Sequence, residues 1–186
     1  GCPNQIAEGE VQQLPNARNP KLSEQEYRDV IQAKTAILFE AAAETAAILA
    51  GVSADQQQAL KPYGAHLGMT FQLIDDLLDY DGDTEAMGKN VGDDLAEGKM
   101  TLPLIHTLKN SSAENAELIR NAVLKSNTEE AATIIALVKD SEALAYTLEQ
   151  AEQEAGKAIQ QLKKLPPSAF RSALEDLAKQ ALKRSK

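Results

Sequence analysis

The residues whose types and spacing could do chemistry are concentrated in residues 71–101, FQLIDDLLDYDGDTEAMGKNVGDDLAEGKMT. The stretch begins as an apolar run carrying three carboxylates and ends as a glycine-rich segment carrying two lysines. A helix turns about 100° per residue, so Asp75 and Asp79 project from one face with β-carbons about 6 Å apart, and Asp76 lies a further quarter turn round. Like charges at this spacing repel by a few tenths of a kcal/mol per pair, roughly, and something must offset that. One possibility is plain solvation of an acidic stripe. The other is a hard divalent cation: Mg²⁺ takes oxygen ligands and is commonly held by one or two carboxylates together with a substrate phosphate.

Residues 81–100, DGDTEAMGKNVGDDLAEGKM, contain Gly82, Gly88, Gly92 and Gly98 and almost no apolar periodicity. A loop of about twenty residues inside a compact domain is commonly a lid or a disordered segment. Lys89 and Lys99 each follow a glycine, which puts two cations on pliable backbone able to close over an anion and exclude water. Metal carboxylates with lid lysines describe a diphosphate site. A P-loop does not fit, because five residues rather than four separate each glycine pair and no Ser or Thr follows either lysine. An EF-hand starting at Asp79 does not fit either, with Thr84 and Asn90 where Gly and Glu belong.

The elements that must position these groups read as helices throughout. Ser23-Glu24-Gln25-Glu26 is a capping box opening a helix that runs to Ala50, with Gly51 ready to end it. At α-helical spacing Tyr27, Val30, Ile31, Lys34, Leu38 and Ala41 share one face, so Lys34 interrupts an inward stripe. It either snorkels to water or serves a site. A second helix opens at Ser53, with Gln56 at capping-box spacing, and continues through Pro62 to Tyr80. Gln72, Gly68 and Gly64 lie on the side of Asp75, whereas Leu60, Leu67, Leu73, Ile74, Leu77 and Leu78 face away. The two glycines permit either close helix packing or room for an extended apolar tail. Beyond residue 100, five helices open near Thr101, Ser112, Thr128, Ser141 and Ser168, with Pro166-Pro167 before the last, and form scaffold. His66 and His106 are isolated and read as structural.

Composition bounds the rest. The 186 residues suffice for one ordinary domain, aromatics are only 4 %, and Trp is absent, which with abundant Ala, Leu, Glu, Gln and Lys favours helix. The formal charge of −9 argues against nucleic acid and against an anionic membrane surface. Anion binding must therefore rest on local lysines and metal. The most apolar run, Ala36 to Gly51, is broken by Glu40 and Glu44 and is too short to span a bilayer. One cysteine, Cys2, can form no internal disulfide, which fits a reducing, cytoplasmic-type compartment.

FQLIDDLLDY followed by GKNVGDDLAEGKMTLPL resembles the second aspartate-rich region of the trans-isoprenyl (all-E polyprenyl) diphosphate synthases, most of all the octaprenyl-type members. The pairing of DDxxD with a Gly-Lys…Asp…Gly-Lys segment carries the resemblance. It implies an all-α isoprenoid-synthase-type bundle, here incomplete, with residues 1–186 forming the C-terminal part of a single synthase domain and 81–100 its lid. It also implies a Mg²⁺-dependent prenyltransferase that elongates an allylic diphosphate with isopentenyl diphosphate to a long all-E chain. Asp75, Asp76 and Asp79 match the metal ligands. Lys34 and Thr35 match the family's Lys-Thr pair, Gln72 its Phe-Gln amide, and Lys34, Thr35, Gln72, Lys89 and Lys99 would hold the allylic diphosphate. Lys34, Gln72 and Asp75 would be the catalytic residues, and Asp94 matches the loop aspartate. Family members are commonly homodimers.

The departure from the family is absence. The 186 residues contain one DDxxD and no paired arginines after an earlier one, and residues 5–14 read as the end of a helix whose beginning is elsewhere. The resemblance therefore implies an enzyme whose N-terminal helices are missing here, and a chain inert by itself with an exposed apolar face. Two other classes stay open: a non-catalytic partner subunit of a synthase, and a helical interaction module with an incidental acidic stripe.

Overall fold

The computed structural model describes residues 18–81, 91–125 and 129–184. The expected helix end at 5–14, the cap at Thr128 and the lid residue Lys89 lie outside them. Every regular element among the described residues is helical. None of these helices is long and apolar enough to cross a membrane.

Helix α1 (Glu24–Ile31) starts at the expected capping box: the Ser23 N–H donates to Glu26 Oε2 at 2.8 Å, and the Glu26 N–H donates to Ser23 Oγ at 3.2 Å. It passes without a break into a π-helical turn, Gln32–Ala36, and then into α2 (Ile37–Leu49). This wide turn overturns the expected face. Tyr27 and Ile31 are buried, but the next buried residue is Ala36, five positions on, and Leu38 is 49 % exposed. One extra residue in the turn shifts the helix's phase, so a uniform 3.6-residue period carried across it puts Leu38 on the wrong side. Gly51 closes α2 with φ of 63°, its N–H donating to the Ile48 carbonyl and that of Val52 to the Ala47 carbonyl.

Helix α3 (Ala54–Asp81) runs through Pro62 and is capped reciprocally by Ser53 and Gln56. Of the greasy side expected of it, Leu67, Leu73, Ile74, Leu77 and Leu78 are buried and Leu60 is half-buried. Then come α4 (Asp93–Ala96), α5 (Leu102–Asn110), α6 (Ala113–Lys125), α7 (Ala131–Asp140), α8 (Ala143–Leu162) and α9 (Ala169–Lys183). Ser112, Ser141 and Ser168 each accept an N–H at the head of the next helix. Helix α7 begins at Ala131, three residues beyond the expected opening at Thr128.

The chain divides into two compact units. The first comprises residues 31–74 and 149–184. Its core sets Tyr63 and Leu67 of α3 against Ala158 and Leu162 of α8 and Ala178 and Ala181 of α9, with Phe39 packed alongside. The Tyr63 hydroxyl donates to the Leu174 carbonyl at 2.9 Å, and burial pushes that phenol up to about 12. The buried Glu154 carboxylate is held by His66 and Lys157, each at 2.7 Å. Burial pulls it upward, but these two partners dominate and leave it at about 2. The second unit comprises residues 18–30 and 75–148. Here α6 packs against α4, α5 and α7, α5 also packs against α7, and Leu102, Leu104, Ile119, Val123, Ile134 and Val138 are buried.

Candidate active site

The three acids of α3 fall into two environments. Asp75 and Asp79 are half-buried, whereas Asp76 is only 2 % exposed. The Tyr27 hydroxyl donates to Asp76 Oδ2 at 2.6 Å. Burial and the adjacent Asp76 charge push the Tyr27 phenol well above its ordinary value, so it remains a donor.

Asp79 organises the segment that follows. Its backbone carbonyl accepts the Gly92 N–H at 2.8 Å, and its carboxylate lies 3.3 and 3.4 Å from the Asp94 N–H. Residues 91–100 are therefore not an open loop. They fold into the single turn of α4, with Leu95 buried and Gly92 and Gly98 at φ of 87° and 74°, where a side chain is strained. The Lys99 ammonium sits 2.6 Å from Glu97 and 3.1 Å from Asp94. Partial burial pulls its pKa downward, but these carboxylates outweigh that and raise it above the ordinary value. Lys99 is thus engaged inside its own segment and must leave these partners to meet an anion.

In the first unit Lys34 and Thr35 lie in the π-helical turn, both half-buried. The Thr35 hydroxyl donates to Gln72 Oε1 at 3.0 Å, joining two residues 37 apart in sequence. Gln72 and Asp75 are three positions apart on the continuous α3. The glycines resolve in favour of close packing: a β-carbon on Gly68 would lie 2.7 Å from the Ala36 Cα, and one on Gly64 2.9 Å from the Glu40 Cα. The expected room for an apolar tail along this face is occupied by α2 and the turn before it. Phe71 packs against Phe39 and carries the Arg184 guanidinium 4.3 Å above its ring.

Among the described residues, no three His, Cys, Asp or Glu side chains converge to hold a metal ion. Two half-buried carboxylates on one helix face nonetheless suit a hard divalent cation that completes its shell with substrate oxygens and water. The residue that pattern reasoning missed is Tyr27. It lies 49 positions from Asp76 and looked like one more apolar residue on a helix stripe.

These features define an all-α protein with carboxylates along one helix, and solved structures of the same fold are isoprenyl diphosphate synthases. The chain superposes with a TM-score of 0.94 on the polyprenyl synthase from Caulobacter crescentus, a structure complexed with calcium and isoprenyl diphosphate. The two are 44 % identical, and the match covers 100 % of this chain and 57 % of that one. A decaprenyl diphosphate synthase from Rhodobacter capsulatus matches with a TM-score of 0.91 at 37 % identity, over 100 % of this chain and 57 % of that one. The chain belongs to the polyprenyl synthetase family, whose model matches residues 2–140. The octaprenyl diphosphate synthase of Haemophilus influenzae is 48 % identical over 176 residues, covering 94 % of this chain and 54 % of that protein. The all-trans-nonaprenyl-diphosphate synthase of Rhodobacter capsulatus is 44 % identical over 180 residues, covering 97 % and 55 %. The chain spans just over half the length of the curated relatives it matches.

Proposed function

We propose that this chain is the allylic-diphosphate half of a long-chain all-E polyprenyl diphosphate synthase, a transferase that extends an allylic diphosphate with isopentenyl diphosphate. The observation that carries the proposal is family membership at 48 % identity to an octaprenyl diphosphate synthase, over a segment that retains DDxxD, the Lys-Thr pair and Gln72.

Asp75, Asp76 and Asp79 would hold a divalent cation, magnesium in the cell, which would supply positive charge to the diphosphate leaving group. Lys34, Thr35, Lys89 and Lys99 bind the diphosphate oxygens, Lys99 by exchanging its Glu97 and Asp94 partners for the substrate. Gln72, fixed by Thr35, places a neutral amide dipole where positive charge develops and stabilises it without capturing it. The complete protein acts as a homodimer in the cytoplasm. With one DDxxD in its 186 residues, this chain by itself transfers no prenyl group.

Calorimetric titration with a non-ionising allylic thiodiphosphate tests this. Binding that requires Mg²⁺ and disappears in Asp75→Asn is expected. Equal binding with and without the cation, or none, overturns the proposal in favour of a plain helical scaffold.

A further inference from the structure

We propose that Tyr27 is a positioning residue, its phenol holding the buried carboxylate of Asp76 in one orientation for the cation bound at 75–79. The inference rests on the function proposed above and adds a residue to it.

Asp76 is the acid of the three that water cannot stabilise, being 2 % exposed on the same helix end as two other carboxylates. A buried, uncompensated carboxylate is costly and would be driven to rotate outward. The Tyr27 hydroxyl meets it at 2.6 Å, within the short range of O–H donors to an anionic oxygen. The donor is itself well placed. Tyr27 is 3 % exposed, and the head of its helix is fixed by the reciprocal Ser23 and Glu26 bonds. Packing alone would be satisfied by phenylalanine. The hydroxyl offsets the burial of that charge and, at 2.6 Å, also fixes the direction in which the carboxylate points. Groups that orient ligating carboxylates from behind typically set metal affinity by about 10- to 100-fold.

Electron paramagnetic resonance of Mn²⁺ bound in the presence of inorganic diphosphate reads this directly, without turnover. Tyr27→Phe should keep the helical circular dichroism and raise the Mn²⁺ midpoint about 10-fold. Asp76→Asn keeps an oxygen to accept the Tyr27 hydroxyl and should raise the midpoint as well. The double variant should match Asp76→Asn alone, because Tyr27 acts only through that carboxylate. A Tyr27→Phe midpoint within about twofold of the unaltered chain overturns the inference while leaving the proposed function standing. So does a full additive effect in the double variant. If Tyr27→Phe does not fold, 3,5-difluorotyrosine at position 27, which keeps the ring's shape and alters the donor, decides: a shifted midpoint supports the inference and an unchanged one overturns it. Absence of any cation-dependent diphosphate binding by the unaltered chain overturns the proposed function and this inference together.

Discussion

Replacing Gly64 by alanine should destabilise the fold, and replacing Gly156 by alanine should stabilise it, although both glycines lie inside helices. Alanine is favoured over glycine in a helix interior by about 0.8–1.0 kcal/mol, a gain common to both sites. At Gly156 in α8 the new methyl meets nothing within 4 Å, so the gain is realised in full. At Gly64 the methyl overlaps the Phe39 carbonyl oxygen and lies 2.9 Å from both the Ala43 Cβ and the Glu40 Cα. Two of these three atoms are backbone and cannot rotate aside. Overpacking of this kind costs about 1–3 kcal/mol, and backbone opposition places it at the upper end. The net loss at Gly64 is about 1–2 kcal/mol, leaving the two variants about 2–3 kcal/mol apart. Urea denaturation should show the two midpoints moving in opposite directions at unchanged slope. A Gly64→Ala midpoint at or above that of the unaltered chain would refute the close approach of α2 to α3 and restore the open groove.

Lys34→Gln should leave the urea midpoint almost unmoved and abolish prenyl transfer by the complete synthase; turnover within a few fold of normal would remove Lys34 from the site. Glu154 should make stability fall in acid. Its folded pKa of about 2 lies below its ordinary 4.5, so its contribution is full above 4.5 and is lost as pH drops toward 2. That difference corresponds to at most about 3 kcal/mol, reduced to about 1–2 by solvent screening through the half-exposed Lys157. Unfolding free energy measured between pH 5 and pH 2 should therefore vary less steeply in Glu154→Gln.

What the sequence made legible was local. Capping boxes at Ser23 and Ser53, the glycine at 51 and the apolar side of α3 depend on residues within a few positions of one another, and the structure shows each of them. What escaped depends on distant partners. The close approach at Gly64 and Gly68 needs a neighbouring helix more than twenty residues upstream, and periodicity cannot tell a glycine that admits a ligand from one that admits a backbone. Residues 91–100 looked irregular because the contacts that order them run to Asp79 and, within the segment, from Lys99 to Asp94. Tyr27 escaped for the same reason.

The wide turn at Gln32–Ala36 was legible only as an anomaly: a lysine in an apolar stripe. An unbroken α-helix would have to choose between burying Leu38 below Ile31 with Lys34 trapped among apolar groups, and exposing Lys34 at the expense of the stripe. One extra residue in the turn removes the conflict. Tyr27 and Ile31 are buried before it, Ala36 at its last position and Ala47 after it, while Lys34 and Thr35, within the turn itself, stay half-buried. Such turns are rare and recur at functional sites. Here the irregularity lets Thr35 reach Gln72 without breaking the helix that carries it, so the positions that offended the periodic pattern are those the proposed chemistry uses.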